Sequence, residues 1–211
     1  MSTFAKRERL LLADLLETAG PDEPTLCEGW RTRDLAAHVV VRERRPDAAG
    51  GLLIKQLAPR LDKAMEEFTA KPYEELIQLI RTGPPRFSPF NLKQLDEASN
   101  TIEFYVHTED VRRAQPDWAP RELDPVFQDA LWSRLERTAR LMGRGAPTGL
   151  VLRRPDGRTV VARRGTPVVT VTGEPSELLL FLYGRQDAAK VDLEGDEAAI
   201  TQLHEGKQLG I

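Results

Sequence analysis

The chain has 211 residues, of which 40% are hydrophobic and 30% charged, the balance of a globular protein with a sizeable core. A formal net charge of −3 gives no indication of a nucleic-acid partner, and no apolar run is long enough to cross a bilayer. Because Cys27 is the single cysteine and the N-terminus lacks signal-peptide features, we expect a cytoplasmic protein without an internal disulfide, a nucleic-acid partner or a membrane partner.

Helical periodicity extends from residue 3 to residue 142 and predicts a bundle of helices. Thr32 is predicted to be the N-cap of the second helix, with Asp34 in its first turn and Arg45-Pro46 at its end. Asp124-Pro125 predicts the start of the last helix of the bundle, and Gly143 predicts its end. The other helices are predicted at residues 4–17, 56–69, 72–81 and 92–114, with loops at 21–30, 48–53 and 83–89.

The period changes from helical to alternating after Gly145. The segments 150–152 and 159–161 flank Arg154-Pro155-Asp156-Gly157 and predict a β-hairpin. The rest of the tail is predicted to contain strands at 168–172 and 190–193 and helices at 175–183 and 196–204. The chain is therefore predicted to divide into a helical bundle, 1–145, and a small α+β domain, 146–211.

Three residues on two predicted helices form a candidate metal site. Glu103 and His107 lie four residues apart and share one helix face, and His38 lies on an earlier helix. Two imidazoles and one carboxylate can hold a divalent metal and leave a position for water or substrate. Taken alone, the Glu103–His107 pair is more typical of an ordinary helical contact than of a metal site. His38 taken alone is more typical of a hydrogen-bonded core histidine than of a ligand. Because Ile102 and Val106 flank the pair, it borders the buried face, where a carboxylate needs a partner.

Four further residues are candidates around this site. Asp34 and Asp110 each lie about one turn from a histidine of their helix and are candidates to orient its imidazole, with a water-facing carboxylate as the alternative. Arg42 and Arg113 are candidates for an anion site near the metal, with a favourable contact to a helix C-terminus as the alternative. Cys27 is interpreted as a small buried hydrophobe, with a reactive thiol as the alternative.

Two segments, CEGWRTRDLAAHVVVRERRPDA (27–48) and NTIEFYVHTEDVRRAQP (100–116), together resemble the mycothiol-dependent maleylpyruvate isomerase-like family, part of the DinB-like metal-binding four-helix bundles. The segments VTGEPSELLLFLYGR (171–185) and VDLEGD (191–196) are similar to the C-terminal domain that many members carry. The resemblance implies a DinB-like four-helix bundle with a small C-terminal α+β domain. It also implies that His38, Glu103 and His107 are metal ligands and that the metal is zinc.

The resemblance is strongest to family members without an assigned reaction, so the metal site carries over and maleylpyruvate as substrate does not. A metal with a vacant position can hold a thiol as thiolate, and the family implies mycothiol as that thiol. The expected function is a thiol-dependent isomerase or transferase whose partners are a small-molecule thiol and an electrophilic metabolite.

Three alternatives stay open at this point. A metal hydrolase would use the same site to lower the pKa of bound water towards ~7. A non-enzymatic metal-binding or regulatory module would have a filled coordination sphere and no pocket above the metal. The apolar segment 178–182 needs a cover, for which its own sheet and bundle are the simplest expectation, ahead of an apolar ligand or a second subunit.

Overall fold

The computed structural model describes residues 3–49, 58–85, 100–205 and 209, which form mainly helices and one four-stranded sheet. The chain divides into two units, Met1–Ala119 and Pro120–Ile211. The change of sequence period instead predicts a division after residue 145. The two divisions differ over one helix, Pro125–Met142, whose contacts are with the strand Thr159–Arg163 and the helix Pro175–Leu182.

The first unit is helical. Its described helices are α1 (Phe4–Ala19), α2 (Thr32–Arg44), α3 (Pro46–Ala49), α4 (Ala58–Thr69), α5 (Tyr73–Thr82) and α6 (Thr101–Arg112). Helix α1 packs on α5 and α6, and α2 packs on α4 and α5. Their apolar faces share one core, which includes Leu12, Leu16, Leu35, Val39, Ile77 and Phe104. This core supports α2 and α6, the helices that carry the candidate ligands.

The start of α2 differs from the prediction. Thr32 is the first helical residue and not the N-cap, because its hydroxyl donates to the carbonyl of Gly20 at the end of α1. Arg31 is the N-cap, and the Asp34 carboxylate accepts a 2.9 Å hydrogen bond from its backbone N–H. The first turn of α2 is therefore fixed by Asp34.

Other predictions for the first unit have mixed outcomes. The predicted loop at 48–53 is wrong at its start, because the short helix α3 extends to Ala49. The first residues of the predicted helices 56–69 and 92–114, and most of the predicted loop 83–89, lie outside the described residues. The described parts of both helices are α4 and α6.

The second unit combines helices with the sheet, as the tail pattern predicts. Its elements are α7 (Pro125–Met142), β1 (Gly149–Arg153), β2 (Thr159–Arg163), β3 (Val168–Thr172), α8 (Pro175–Leu182), β4 (Asp192–Glu194) and α9 (Glu197–Glu205). The sheet order is β2-β1-β3-β4, with β1 antiparallel to β2, parallel to β3, and β3 antiparallel to β4. Asp124 caps α7 through a 2.7 Å bond from the backbone N–H of Val126, which confirms its predicted start.

The apolar helix α8 is covered within its own unit. Residues 178–182 are fully buried, and α8 packs on α7. Two buried hydrogen bonds join these helices, because the Gln128 side chain donates to the Ser176 hydroxyl and accepts from the Ser176 backbone. Among the residues that the structure describes, no helix is both long and apolar enough to cross a membrane.

Candidate metal centre

The structure brings together His38 from α2 and Glu103 and His107 from α6. The Nε2 atom of His38 lies 3.2 Å from Oε1 of Glu103, and Nε2 of His107 lies 3.3 Å from the same oxygen. The two imidazole rings are 5.2 Å apart in an edge-to-face arrangement. Both histidines are buried, with 7% and 8% exposure, whereas the Glu103 side chain is 24% exposed. The centre is therefore enclosed on its imidazole side, and of its three side chains that of Glu103 is the most exposed.

Two of the three separations between these donor atoms match those of a coordination tetrahedron. Metal–nitrogen and metal–oxygen bonds of about 2.0–2.1 Å place tetrahedral ligand atoms about 3.3–3.4 Å apart. The two nitrogen–oxygen separations are 3.2 and 3.3 Å, and all three donor atoms lie within 4.8 Å of one another. The residues present therefore fit a divalent metal in both donor chemistry and spacing.

Asp110 contacts the outer nitrogen of the His107 ring. Its Oδ2 atom lies 2.8 Å from Nδ1 of His107, and its side chain is fully buried. A carboxylate accepts the Nδ1–H, which leaves Nε2 of a neutral ring as an acceptor. Nε2 then faces the Glu103 carboxylate, a second acceptor, and a cation or a proton must lie between them. Asp34, the other predicted orienting carboxylate, instead accepts from the Arg31 backbone at the start of α2.

The charge states of the three residues follow from burial and hydrogen bonding. Burial lowers the pKa of His38, against the opposing effect of its hydrogen bond to Glu103. Burial alone would also lower the pKa of His107, but hydrogen bonds to Asp110 and to other neighbours outweigh it and raise that pKa well above its ordinary value. Burial would raise the pKa of Glu103, but hydrogen bonds from both histidines bring it well below its ordinary value. Without a metal, the proton therefore lies at His107.

The two candidate anion-binding arginines have different partners. Arg42 lies beside the centre, with Nε 3.3 Å from Oε1 of Glu103, and it also donates to the side chain of Asn100. Arg113 forms a buried 2.6 Å ion pair with Glu109 and covers the ring of Trp118 at 4.6 Å. Arg42 therefore borders the candidate metal centre, whereas the guanidinium of Arg113 balances a buried carboxylate.

Sequence reasoning missed the contribution of the loop between α1 and α2. The Trp30 ring packs on His38 with ring centroids 5.1 Å apart, and the thiol of Cys27 lies 3.2 Å from Oδ2 of Asp110. Cys27 thus differs from the predicted small buried hydrophobe, because it is half-buried and its thiol has a polar partner. The only feature of the sequence that could have predicted this contribution is the position of the loop, which directly precedes the helix of His38.

A groove of about 630 Å³ lies beside Trp30. It is lined by Gly29, Trp30, Asp34, Met65, Glu66, Thr69 and Ala70, which come from the loop before α2, the start of α2 and the end of α4. Trp30 therefore contributes both to this groove and to the packing around the His38 imidazole.

No family model and no curated protein matches the chain. Two solved structures of the mycothiol-dependent maleylpyruvate isomerase are similar to it. A histidine-to-alanine mutant has a TM-score of 0.58 at 17% identity, over 92% of this chain and 96% of that one. A second structure has a TM-score of 0.55 at 18% identity, with the same coverage. The resemblance predicted from residues 27–48 and 100–116 is thereby confirmed as a likeness of fold.

Proposed function

We propose that this chain binds one divalent metal, zinc, through His38, Glu103 and His107. We further propose that it is a mycothiol-dependent or other thiol-dependent isomerase or transferase acting on a small electrophilic metabolite. One observation carries the proposal: Nε2 of His107 faces Oε1 of Glu103 at 3.3 Å while Asp110 holds Nδ1 of the same ring. Without a metal, the proton on His107 lies between these two atoms. A metal cation would replace that proton and would also bind Nε2 of His38, which lies 3.2 Å from the same oxygen.

The donor set supports zinc. Catalytic zinc sites commonly use three protein ligands drawn from histidine and glutamate or aspartate, and they keep a fourth position open. Ligand histidines usually donate their other ring N–H to a carboxylate, which fixes the ring and increases its basicity. Asp110 occupies that position for His107 at 2.8 Å.

The fold supports an enzyme that uses a thiol. Both similar solved structures are of a mycothiol-dependent enzyme. We propose for the first unit a DinB-like four-helix bundle built on α1, α2, α5 and α6, which the packing of α1 on α5 and α6, and of α2 on α5, supports. A cytoplasmic location is part of the same proposal and agrees with a single, half-buried cysteine that forms no disulfide.

The surrounding side chains have separate tasks in this proposal. When bound, the metal would supply the positive charge that keeps a thiol deprotonated near neutral pH. Asp110 selects the His107 tautomer, and Trp30 covers the His38 ring. Arg42 places its charge 3.3 Å from Glu103 and holds this carboxylate in place. The 24% exposure of Glu103 provides the side from which a thiol and a substrate approach.

The openness of the centre favours an enzyme over a metal-binding module. A purely structural metal needs a closed set of protein ligands. The described residues place three donor side chains together at this centre, and one of them reaches solvent.

Metal content tests the site. The protein is purified without chelators or a metal-affinity resin, beside His38→Ala and Glu103→Ala variants. We expect about one metal per chain in the parent and its loss from both variants. His204→Ala is the matched control, because the third histidine is exposed in α9 and its loss should change nothing. A folded parent without metal, after zinc has been offered, would contradict the proposal.

Turnover separates the thiol-dependent enzyme from the hydrolase. Maleylpyruvate and other small electrophiles are followed by absorbance with the zinc-loaded protein, with and without mycothiol. Conversion that requires both thiol and metal, and that Glu103→Ala abolishes, is the expected result. Conversion of a hydrolysable substrate without thiol would favour the hydrolase instead.

A further inference from the structure

The short loop between α1 and α2 contacts both histidines of the proposed metal centre. At one point, Trp30 packs on the His38 ring with centroids 5.1 Å apart. At another, the Cys27 thiol lies 3.2 Å from the Asp110 oxygen that contacts Nδ1 of His107 at 2.8 Å. The loop therefore packs on the ring of His38, and its Cys27 thiol lies beside both the His107 imidazole and the Asp110 carboxylate.

Backbone hydrogen bonds fix this loop on α6 and hold the thiol in place. The N–H of Leu26 donates to the carbonyl of Asp110 at 3.0 Å, which attaches the loop to the residue whose side chain it contacts. The Thr25 hydroxyl accepts from the N–H of Cys27 at 3.2 Å and donates to the carbonyl of Trp30 at 2.9 Å. The thiol is thus held at a defined position relative to the carboxylate.

The contacts of Asp110 with His107 and Cys27 make the thiol a hydrogen-bond donor to the carboxylate. Asp110 is fully buried, and a buried carboxylate is costly unless donors surround it. The His107 Nδ1–H is one such donor, and the Cys27 S–H is a second donor on the same Oδ2 atom. Two donors on one oxygen hold the carboxylate in the rotamer that points at the imidazole.

We propose that Cys27 is a positioning residue of the metal centre, whose thiol holds the Asp110 carboxylate in the orientation that directs Nε2 of His107 at the metal. The inference rests on the proposed function, since it assumes that His107 is a ligand. It assigns Cys27 no contact with the metal.

The test compares Cys27→Ala, which removes the donor, with Cys27→Ser, which keeps one. Zinc affinity is measured by competition with a chromophoric chelator, and the Tm of each metal-free protein reports on folding. Partners of ligand residues typically contribute about 10–100-fold to metal affinity. Because Cys27 acts through Asp110, we expect about a tenfold loss in Cys27→Ala and at most about a threefold loss in Cys27→Ser. The metal-free Tm of the two variants should agree.

The outcomes distinguish this inference from the proposed function. A parent that binds zinc, with Cys27→Ala equal to it, overturns the role of Cys27 alone. Equal losses in the alanine and serine variants also overturn it, because the serine keeps the hydrogen bond. A parent without metal overturns the metal centre itself, and the role of Cys27 with it.

Cobalt substitution checks the alternative that Cys27 is itself a ligand. Its thiol, Nδ1 of His107 and the Asp110 carboxylate also lie within 4.8 Å of one another, close enough for a metal. The parent loaded with Co²⁺ should show ligand-field bands without a thiolate-to-cobalt charge-transfer band. Such a band in the parent, absent from Cys27→Ser, would make Cys27 a ligand and overturn its role as a positioning residue.

Discussion

Helices α6 and α8 are both largely buried, but they are stabilised in different ways. In α8, residues 178–182 are leucines and one phenylalanine, all fully buried. In α6, the consecutive residues His107, Thr108, Glu109 and Asp110 are buried as well. Apolar side chains need only cover, whereas a buried charge needs a specific partner with correct geometry. A buried polar helix therefore indicates where the molecule has built a site.

Two adjacent carboxylates of α6 have different roles, because their side chains contact different partners. Glu109 and Asp110 are both fully buried. Glu109 is paired with the guanidinium groups of Arg112 and Arg113, which balance its charge. Asp110 contacts the imidazole of His107 and the thiol of Cys27. One carboxylate thus stabilises the fold, and the other supports the proposed metal centre.

The largest effect is expected where α6 depends on a buried ion pair. Arg113→Ala removes the buried 2.6 Å partner of the Glu109 carboxylate and leaves it only Arg112, whose side chain is 25% exposed. Breaking a buried ion pair costs up to about 3–5 kcal/mol in the free energy of unfolding. Urea denaturation measures the loss. The double variant Glu109→Gln, Arg113→Gln should recover part of it, because no charge is left buried. A double variant as unstable as the single one would mean that packing against Trp118 is the larger contribution.

Helix α8 should respond to loss of volume alone. Leu180→Ala removes a fully buried side chain and is expected to lower the free energy of unfolding by about 2–5 kcal/mol. Leu141→Ala is the matched control, since Leu141 is 51% exposed and should change stability by about 0.5 kcal/mol or less. Added zinc should raise the Tm of Leu180→Ala by as much as it raises that of the parent. A smaller zinc effect would show that α8 affects the metal centre.

The two carboxylates predicted to orient imidazoles should now behave differently. Asp110→Asn is expected to weaken zinc binding by about 10–100-fold, because the ring loses a charged acceptor at Nδ1. Asp34→Asn should leave zinc affinity unchanged and lower stability by about 1 kcal/mol, as for a weakened helix cap. Chelator competition and thermal unfolding measure the two quantities. Equal losses of affinity in both variants would contradict the assignment of Asp110.

The smallest effect is expected at exposed ion pairs, which contrast with the buried pair of α6. Hydrogen bonds from Arg154 and Arg158 lower the pKa of Asp129, and Arg158 lowers that of Asp156. A lowered pKa stabilises the fold above the ordinary value of 3.8, and this contribution is lost as pH falls through the lowered pKa. The Tm difference between the parent and Asp156→Asn should therefore be small at pH 7 and disappear in acid. A difference that persists below the lowered pKa would exclude a charge effect.

Local signals predicted most of the secondary structure. The Asp124-Pro125 cap, the hairpin around Gly157 and the strand at 168–172 depend on residues close in sequence, and the structure contains each of them. The start of α2 was misassigned because the Thr32 hydroxyl has a partner twelve residues away, a contact that no local pattern contains.

The sequence by itself determined that Glu103 and His107 share a helix face, because a spacing of four residues fixes that relation within one turn. Tertiary structure alone decided that His38 meets Glu103 at 3.2 Å, that Cys27 contacts Asp110, and that Arg42 faces the centre. Helix geometry is set by the backbone over a few residues. Which residues meet between helices depends on how whole apolar faces pack. His38 and Glu103 are 65 residues apart in the chain, and Cys27 and Asp110 are 83 apart, so no local pattern could pair them.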